Sequence, residues 1–332
     1  GFHSNITTRH IIQILDSIKP DVVHLHHIYG FWLNVEVLLD YLKKLGIPVV
    51  WTIHDFWAIT GHCTHFEAIG CEKWKNECEL CEQKRCYPYS LIFDRSKELY
   101  NRKKRILQKW NQLHIVTVSE WVAHFVKMSY IRDKMITVIP NGIDLNVFYP
   151  DGENTRSAEL KNKFLILGVA MSWSSKKGLD DFIMMSKTLK EDERVLLIGL
   201  TEDQKKNLPK NIIGLSRTNS VEDLRKYYCA ADVFVSPSLE ETMGMTVAEA
   251  LACGTPAVVY ENTALTELIT PATGIVVEQN YKALYEGISR VREAGKEQYA
   301  DACRDYIIEN YEKTKQYEKY CELYRSILGG SE

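Results

Sequence analysis

No stretch of the chain holds the ~18 consecutive apolar residues that a membrane-spanning helix needs, and no secretory leader pattern stands at its start. An excess of one charge is lacking too. There are 41 Lys and Arg against 44 Asp and Glu, a formal net charge of −3. No global field therefore recruits nucleic acid or a membrane, and any such attraction must come from a local patch. Internal repeats and low-complexity tracts are absent. So is an even cysteine framework: of nine cysteines, Cys229, Cys253, Cys303 and Cys321 are scattered singly. An odd count with isolated thiols argues for a reducing cytoplasm. What remains is an ordinary globular composition, 45% apolar and 26% charged over 332 residues, long enough for two domains of ~150 residues each.

From Asp21 short apolar runs alternate with helical patterns. "DVVHLHH" reads as a buried strand, "NVEVLLDYLKKLG" as an amphipathic helix ended by Gly46, and "IPVVWTIHD" as the next strand. "HIVTVS" and "MITVIPNG" add two strands, and "FLILGVA", "RVLLIGL", "NIIGLS", "DVFVSPS", "PAVVY" and "GIVVE" form a second series. This alternation predicts α/β architecture, two doubly wound parallel sheets in Rossmann-like domains that face a cleft. The predicted division is 1–150, with a cysteine-rich insertion at 63–86, then 151–310, then a C-terminal helix at 311–332 packing back toward the first domain. The stretch "IPNGIDLNVFYPDGENTRSAELKN" reads as the interdomain linker.

In doubly wound sheets ligands sit at the carboxyl ends of strands, which directs attention to "SLEETMGMTVAEALACGTP" after "DVFVSPS". Glu241 and Glu249 stand eight residues apart there. Locally, Thr246 with Glu249 reads as a capping box, Gly254 as the helix stop and Glu241 as a loop carboxylate. Functionally, a Gly-containing loop opening a helix offers backbone N–H groups to an anion. Two flanking carboxylates could then accept hydroxyls, a combination that suits a nucleotide sugar.

These residues resemble the E-x7-E signature of retaining glycosyltransferases of family 4 (group 1), whose fold is GT-B. "TIHD", "VSEWV", "IPNGID", "SWSSKKGLDDFI" and "YYCAADVFVSPS" match in the expected order. The cysteine-rich stretch resembles a bacterial branch active in surface-polysaccharide synthesis. The resemblance implies transfer from a UDP- or GDP-sugar to a saccharide or lipid-linked acceptor, with no catalytic cofactor. It implies Glu241 at the donor sugar and leaving phosphate, and Glu249 on the ribose hydroxyls. Backbone N–H groups of Met243, Gly244, Met245 and Thr246 would meet the diphosphate, and Lys177 would neutralise the departing phosphate. The family's arginine five residues before that lysine is Ser172 here, which leaves Lys176 to add a second, point-like charge. His54 would reach the transferred sugar, while Asp55, His26 and His27 would line the acceptor side. The resemblance also implies an opening strand and Gly-rich loop that this sequence, starting "GFHSN", does not contain; an N-terminally incomplete and weakly active chain is the expectation.

Three features stand outside that scheme. His24 and His26 share one strand face and could be read as a metal pair, but lining the acceptor side is the preferred reading of His26 and His27. Cys63, Cys71, Cys78 and Cys81, with a C-x-x-C half-site, read as a structural zinc site; free thiols or disulfides are the alternatives. The basic stretch Arg95–Trp110 reads either as a packed helix with a solvated face or as a peripheral contact to the inner face of the cytoplasmic membrane. The competing functional reading is an inactive, zinc-stapled scaffold in a polysaccharide assembly complex. No nucleic-acid partner is expected.

Overall fold

Every residue of Val49–Ile53 (β2) is buried. A run this apolar, broken only by Thr52, is what a parallel strand covered on both faces calls for, and Thr52 is satisfied by hydrogen bonds to His24 and Tyr320. In the computed structural model β2 lies inside a four-stranded parallel sheet with Val23–Leu25 (β1), Leu113–Thr117 (β3) and Met135–Val138 (β4), in the order β1-β2-β3-β4. The structure describes residues 4–30, 32–90, 93–151, 156 and 160–329. The helix Val35–Leu45 follows its sequence pattern closely. The Asn34 side chain accepts from Val37 N at its start, Gly46 ends it at φ +74°, and Leu38, Leu39 and Leu42 are buried. Each such leucine contributes roughly 2 kcal/mol of transfer free energy.

The chain divides into two compact units, Gly1–Pro140 with Glu318–Glu332, and Asn141–Tyr317. The expected boundary at 150 therefore moves to 140, and the reason is local bonding. Ile143 N donates to Tyr311 O, Arg304 donates to Phe148 O, and Lys313 pairs with Asp144. The "NGIDLNVF" stretch is thus bonded into the second unit. This part of the predicted linker is therefore not a linker; 152–155 and 157–159 of its remainder, and the last residues, 330–332, lie outside the described residues. From Glu318 onward the helix Lys313–Ile327 belongs to the first unit. Its Leu323 joins Val50, Val116 and Ile139 in one buried cluster, with Tyr320 and Tyr324 packed against it.

The second unit holds a six-stranded sheet of Phe164–Val169 (β5), Glu193–Ile198 (β6), Ile212–Leu215 (β7), Val233–Ser236 (β8), Ala257–Tyr260 (β9) and Gly274–Val277 (β10). All neighbours are parallel, in the order β10-β9-β8-β5-β6-β7. Strand order reverses between β5 and β8, and the carboxyl end of such a switch point is where doubly wound sheets bind their ligands. One charged group in this core is well satisfied: buried Glu193 accepts from Arg292, Tyr285 and the Lys190 amide.

Candidate active site

The loop after β5 carries Ser172, Lys176 and Lys177, and the loop after β8 carries Glu240 and Glu241. Topology alone therefore brings these side chains together at the switch point of the second sheet. Lys177 forms an ion pair with Glu241. Beside it, Lys176 Nζ lies 3.0 and 3.2 Å from the two carboxylate oxygens of Glu240, a residue only 6% exposed. The loops are also joined through backbone, Leu239 N donating to Lys176 O at 2.9 Å. Gly178 makes the approach possible: at φ +78° a Cβ would stand 2.4 Å from the Pro237 carbonyl oxygen.

The helix after this loop is Met245–Ala252, and Gly244 occupies its N-cap position at φ +85°. The capping box expected from Thr246 and Glu249 is not formed. The left-handed turn at Gly244 starts the helix earlier, which places Thr246 inside its first turn. Val247 and Ala248 N–H groups both turn back to Gly244 O. The amides of Met245 and Thr246 belong to the first turn, where a helix has no intrahelical carbonyl for them and its dipole favours negative charge. Met243 is buried beneath the loop. The Gly244→Ala variant is expected to lose about 1–3 kcal/mol of stability, because a left-handed backbone is disfavoured with a side chain and the new Cβ would meet Leu265 Cδ2 at 2.1 Å. Thermal melting checks this; an unchanged midpoint would show that the loop relaxes without cost.

Glu249 sits one turn further on, where Tyr228 Oη donates to its Oε2 at 2.7 Å. Burial pushes its carboxyl up to about 7, only partly offset by the Tyr228 hydrogen bond. Neither Tyr228 nor Glu240 was singled out in the sequence. Tyr228 stands within "YYCAADVFVSPS", but tyrosines on a helix face read as core until their partner is known. Glu240 immediately precedes Glu241, and adjacency gives no cue to which of two carboxylates points where.

In the first unit β1 and the loops after β1 and β2 bring four histidines together. His26 Nδ1 and His54 Nε2 are 2.9 Å apart, and the His27 ring stacks on His54 at 4.8 Å between centroids. His24 and His26 rings lie 4.2 Å apart. His24 bonds Thr52 Oγ1 through Nε2 at 2.7 Å and Tyr324 Oη through Nδ1 at 2.6 Å. Both of its nitrogens are thus engaged by protein groups, so it is not the metal ligand considered as an alternative. Burial lowers His54 to about 4, with further lowering from His27, His26 and His24; His24 is lowered likewise to about 4. Asp55 accepts from Tyr29 Oη and from Trp57 N at 2.8 Å, with His27 Nδ1 at 3.6 Å. The histidine group and the lysine–glutamate group belong to different units.

The zinc expectation is corrected by the geometry. Among the described residues no group of three or more His, Cys, Asp or Glu side chains is placed to hold a metal ion. Cys63, Cys71, Cys78 and Cys81 do line one small cavity with Phe66 and Trp74. Three of the four sulfurs have hydrogen-bond partners within the protein. The free thiols of Cys63 and Cys81 are hydrogen-bonded to each other, and Gly61 N donates to Cys78 Sγ at 3.1 Å. Aromatic packing carries the insertion instead: Phe66 stacks on Trp74 at 4.8 Å, and both are 1% exposed.

The basic stretch forms the helix Ser96–Gln108. Arg95 pairs with Glu98, Arg102 and Arg105 with Glu36, and Lys97 with Glu77 and Glu79. Lys103 is 1% exposed and donates to Trp57 O at 2.5 Å. Its positive charge is thus largely matched within the protein, as on a packed helix. Among the described residues no helix is long and apolar enough to cross a membrane.

A six-stranded parallel sheet with a reversal of strand order, cations and carboxylates at its switch point and a glycine-opened helix beside them define a doubly wound α/β protein with its candidate site at the carboxyl ends of the strands. Comparison with known proteins narrows this. Residues 3–147 match the family model described as Glycosyltransferase Family 4, and residues 161–293 the model described as Glycosyl transferases group 1. The two matches together span most of the chain, which belongs to this family of glycosyltransferases. The chain is 24% identical over 272 residues to a protein of Escherichia coli K12 described as a colanic acid biosynthesis glycosyl transferase, WcaC, covering 78% of this chain and 64% of that one. It spans between 54% and 64% of the length of the first curated relatives it matches. Among solved structures, the sucrose-phosphate synthase of Thermosynechococcus elongatus superposes with a TM-score of 0.74 at 18% identity, over 98% of this chain and 78% of that one. Anabaena HepE in complex with UDP and glucose gives 0.65 at 15% identity, over 96% and 81%. The fold is GT-B, with two parallel-sheet α/β domains.

Proposed function

We propose that the protein is a retaining glycosyltransferase that moves a sugar from a UDP- or GDP-sugar to a saccharide or lipid-linked saccharide in cell-surface polysaccharide biosynthesis. The observation that carries this is the Lys177–Glu241 pair at the β5/β8 switch point, beside the helix N-terminus at Gly244. A nucleoside diphosphate there would exchange Glu241 for a phosphate as the lysine's partner. First-turn amides of Met245 and Thr246 would take the diphosphate, with Lys176 and Ser172 at its edge. Ribose hydroxyls would donate to Glu249, whose carboxyl Tyr228 holds in place. HepE, of the same fold, is solved with UDP and glucose, which supports this class of donor.

In the reaction, the bond from the sugar C1 to the β-phosphate oxygen breaks and the acceptor oxygen bonds C1 on the same face. The acceptor proton passes to the departing phosphate, so no protein base is required. Charge builds on the phosphate oxygens as the bond opens, and Lys177 stabilises it. His54, neutral because it is buried, would donate to or accept from the transferred sugar, with Asp55, His26 and His27 toward the acceptor. No catalytic metal has a role in this scheme. The test is incubation with a panel of UDP- and GDP-sugars while nucleotide release is followed. Release with one donor, abolished in Glu241→Ala, is expected. No release with any donor, or release unaltered by Glu241→Ala, would overturn the reading.

A further inference from the structure

Trp32, Tyr87 and Tyr89 are 50%, 50% and 54% exposed, and the reaction above gives them no role. They are not scattered. Tyr87 lies 6.1 Å from Tyr29 and 6.0 Å from Tyr89, and Tyr29 stacks on Trp57 at 5.2 Å. Gly30, at φ +108°, lies where two segments meet: a Cβ there would stand 3.4 Å from Tyr87 Oη and 3.5 Å from Trp32 Cδ1. Trp32 Nε1 donates to Tyr29 O at 3.1 Å, which fixes the indole in place. The row is continuous with the histidine group, since the His27 ring contacts both Tyr29 and His54. One end of it follows β1, and the other is delivered by the cysteine-rich insertion.

We propose that Trp32, Tyr87 and Tyr89 form a subsite for the acceptor sugar, running outward from His54 and Asp55; this rests on the transferase reading. A pyranose presents one face of C–H groups carrying partial positive charge, and an aromatic face carries the matching negative charge. The hydroxyls on the ring's rim need donors and acceptors. Asp55, His27 and the tyrosine hydroxyls supply both kinds next to the aromatic faces. Exposed Trp and Tyr also anchor proteins at lipid interfaces, but this row leads into a carboxylate and imidazoles rather than into apolar or uniformly cationic surface. The insertion would then serve to carry an acceptor-binding platform, and its packed aromatic core to hold Tyr87 and Tyr89 in register.

The test is saturation-transfer difference NMR on the protein with methyl glycosides of glucose, galactose, mannose and N-acetylglucosamine, each at about 50 mM, enough to load a site with a Kd of ~10 mM. At least one glycoside is expected to receive saturation, strongest on one face of its C–H protons. Trp32→Ala and Tyr87→Ala are each expected to weaken it about tenfold, the scale of an aromatic contact, whereas Tyr87→Phe, which keeps the ring and loses only the hydroxyl, weakens it less. Thermal midpoints should stay unchanged, as suits half-exposed positions. Saturation of none of the four, or equal saturation in the alanine variants, would overturn the proposal. So would sedimentation with phosphatidylglycerol vesicles that is lost in the same variants while no glycoside binds, an outcome that assigns the row to a lipid surface. Binding needs no turnover, so the two readings fail separately. Glycoside binding without nucleotide release from any donor defeats the transferase reading alone, and release without glycoside binding defeats the subsite alone.

Discussion

Lys177→Ala is expected to lower turnover about a hundred- to a thousandfold, the cost of removing one preorganised charge from a developing oxyanion. Stability should barely change. The Lys177 side chain is 37% exposed, and an ion pair at that exposure contributes at most about 1 kcal/mol. Turnover and stability therefore separate, which a merely structural lysine would not allow. Removing Lys177 also frees Glu241, whose charge then faces the diphosphate with no cation between them, so donor affinity falls along with the rate. Lys177→Arg is expected to recover part of the activity, since the charge returns on a different geometry. Nucleotide release at saturating donor is the measurement. A loss below about tenfold with an unaltered melting point would remove the lysine from the role of leaving-group cation.

Acid is expected to unfold the first unit before the second. His24 and His54 are lowered to about 4, by burial first and then by neighbouring imidazoles; His26 is lowered for the same reasons. The groups facing them are His27, Asp55 and Tyr29 from the adjoining loops, and Tyr320 and Tyr324 from the C-terminal helix. A base whose folded pKa is depressed leaves the folded state with fewer protons than the unfolded one. Its stabilisation is complete above about pH 6.5 and is lost as pH falls toward about 4. After screening by solvent the loss is about 1–2 kcal/mol per histidine. In the second unit Glu249 has the opposite sign. Its carboxyl, raised to about 7 by burial, costs stability when ionised, and that cost disappears as pH falls below about 7. Hydrogen exchange resolved by segment, at pH 7 and pH 4.5, should show β1 and β2 losing protection while the helix Met245–Ala252 does not. A uniform decline, or protection of β1 and β2 unchanged by acid, would refute the assignment. In the His24→Gln, His54→Gln double variant the acid effect on the first unit should shrink.

Much of the site was legible because parallel strands announce themselves. All ten predicted strands form, and the central ones, such as β8 and β9, are the apolar runs that a strand covered on both faces calls for. Lys177, Glu241 and Glu249 lay just after such strands, which is where a doubly wound sheet places its ligands. The capping box was misread because Thr246 and Glu249 satisfy its spacing, while the start of the helix depends on the backbone angle at Gly244. The zinc site was misread because cysteine spacing reports which thiols share a loop. It does not report how their side chains are placed, and among the described residues no three of them are set to hold one ion. The domain boundary lay earlier than the composition change suggested, because hydrogen bonds to Tyr311 and Arg304, far along the chain, decide where Ile143 and Phe148 belong.

The sequence by itself determined the fold class, the strands and helices and the ordered motifs. These follow from periodicity, from where Gly can stand and from residue types at short separations. Only the tertiary structure decided that Lys177 meets Glu241 and Lys176 meets Glu240, that Tyr228 holds Glu249, and that four histidines pack into one stack against Tyr324. Those pairings join residues far apart in the chain, where no local pattern constrains them. They are set by strand order and loop packing, which bring side chains together only once both sheets are formed.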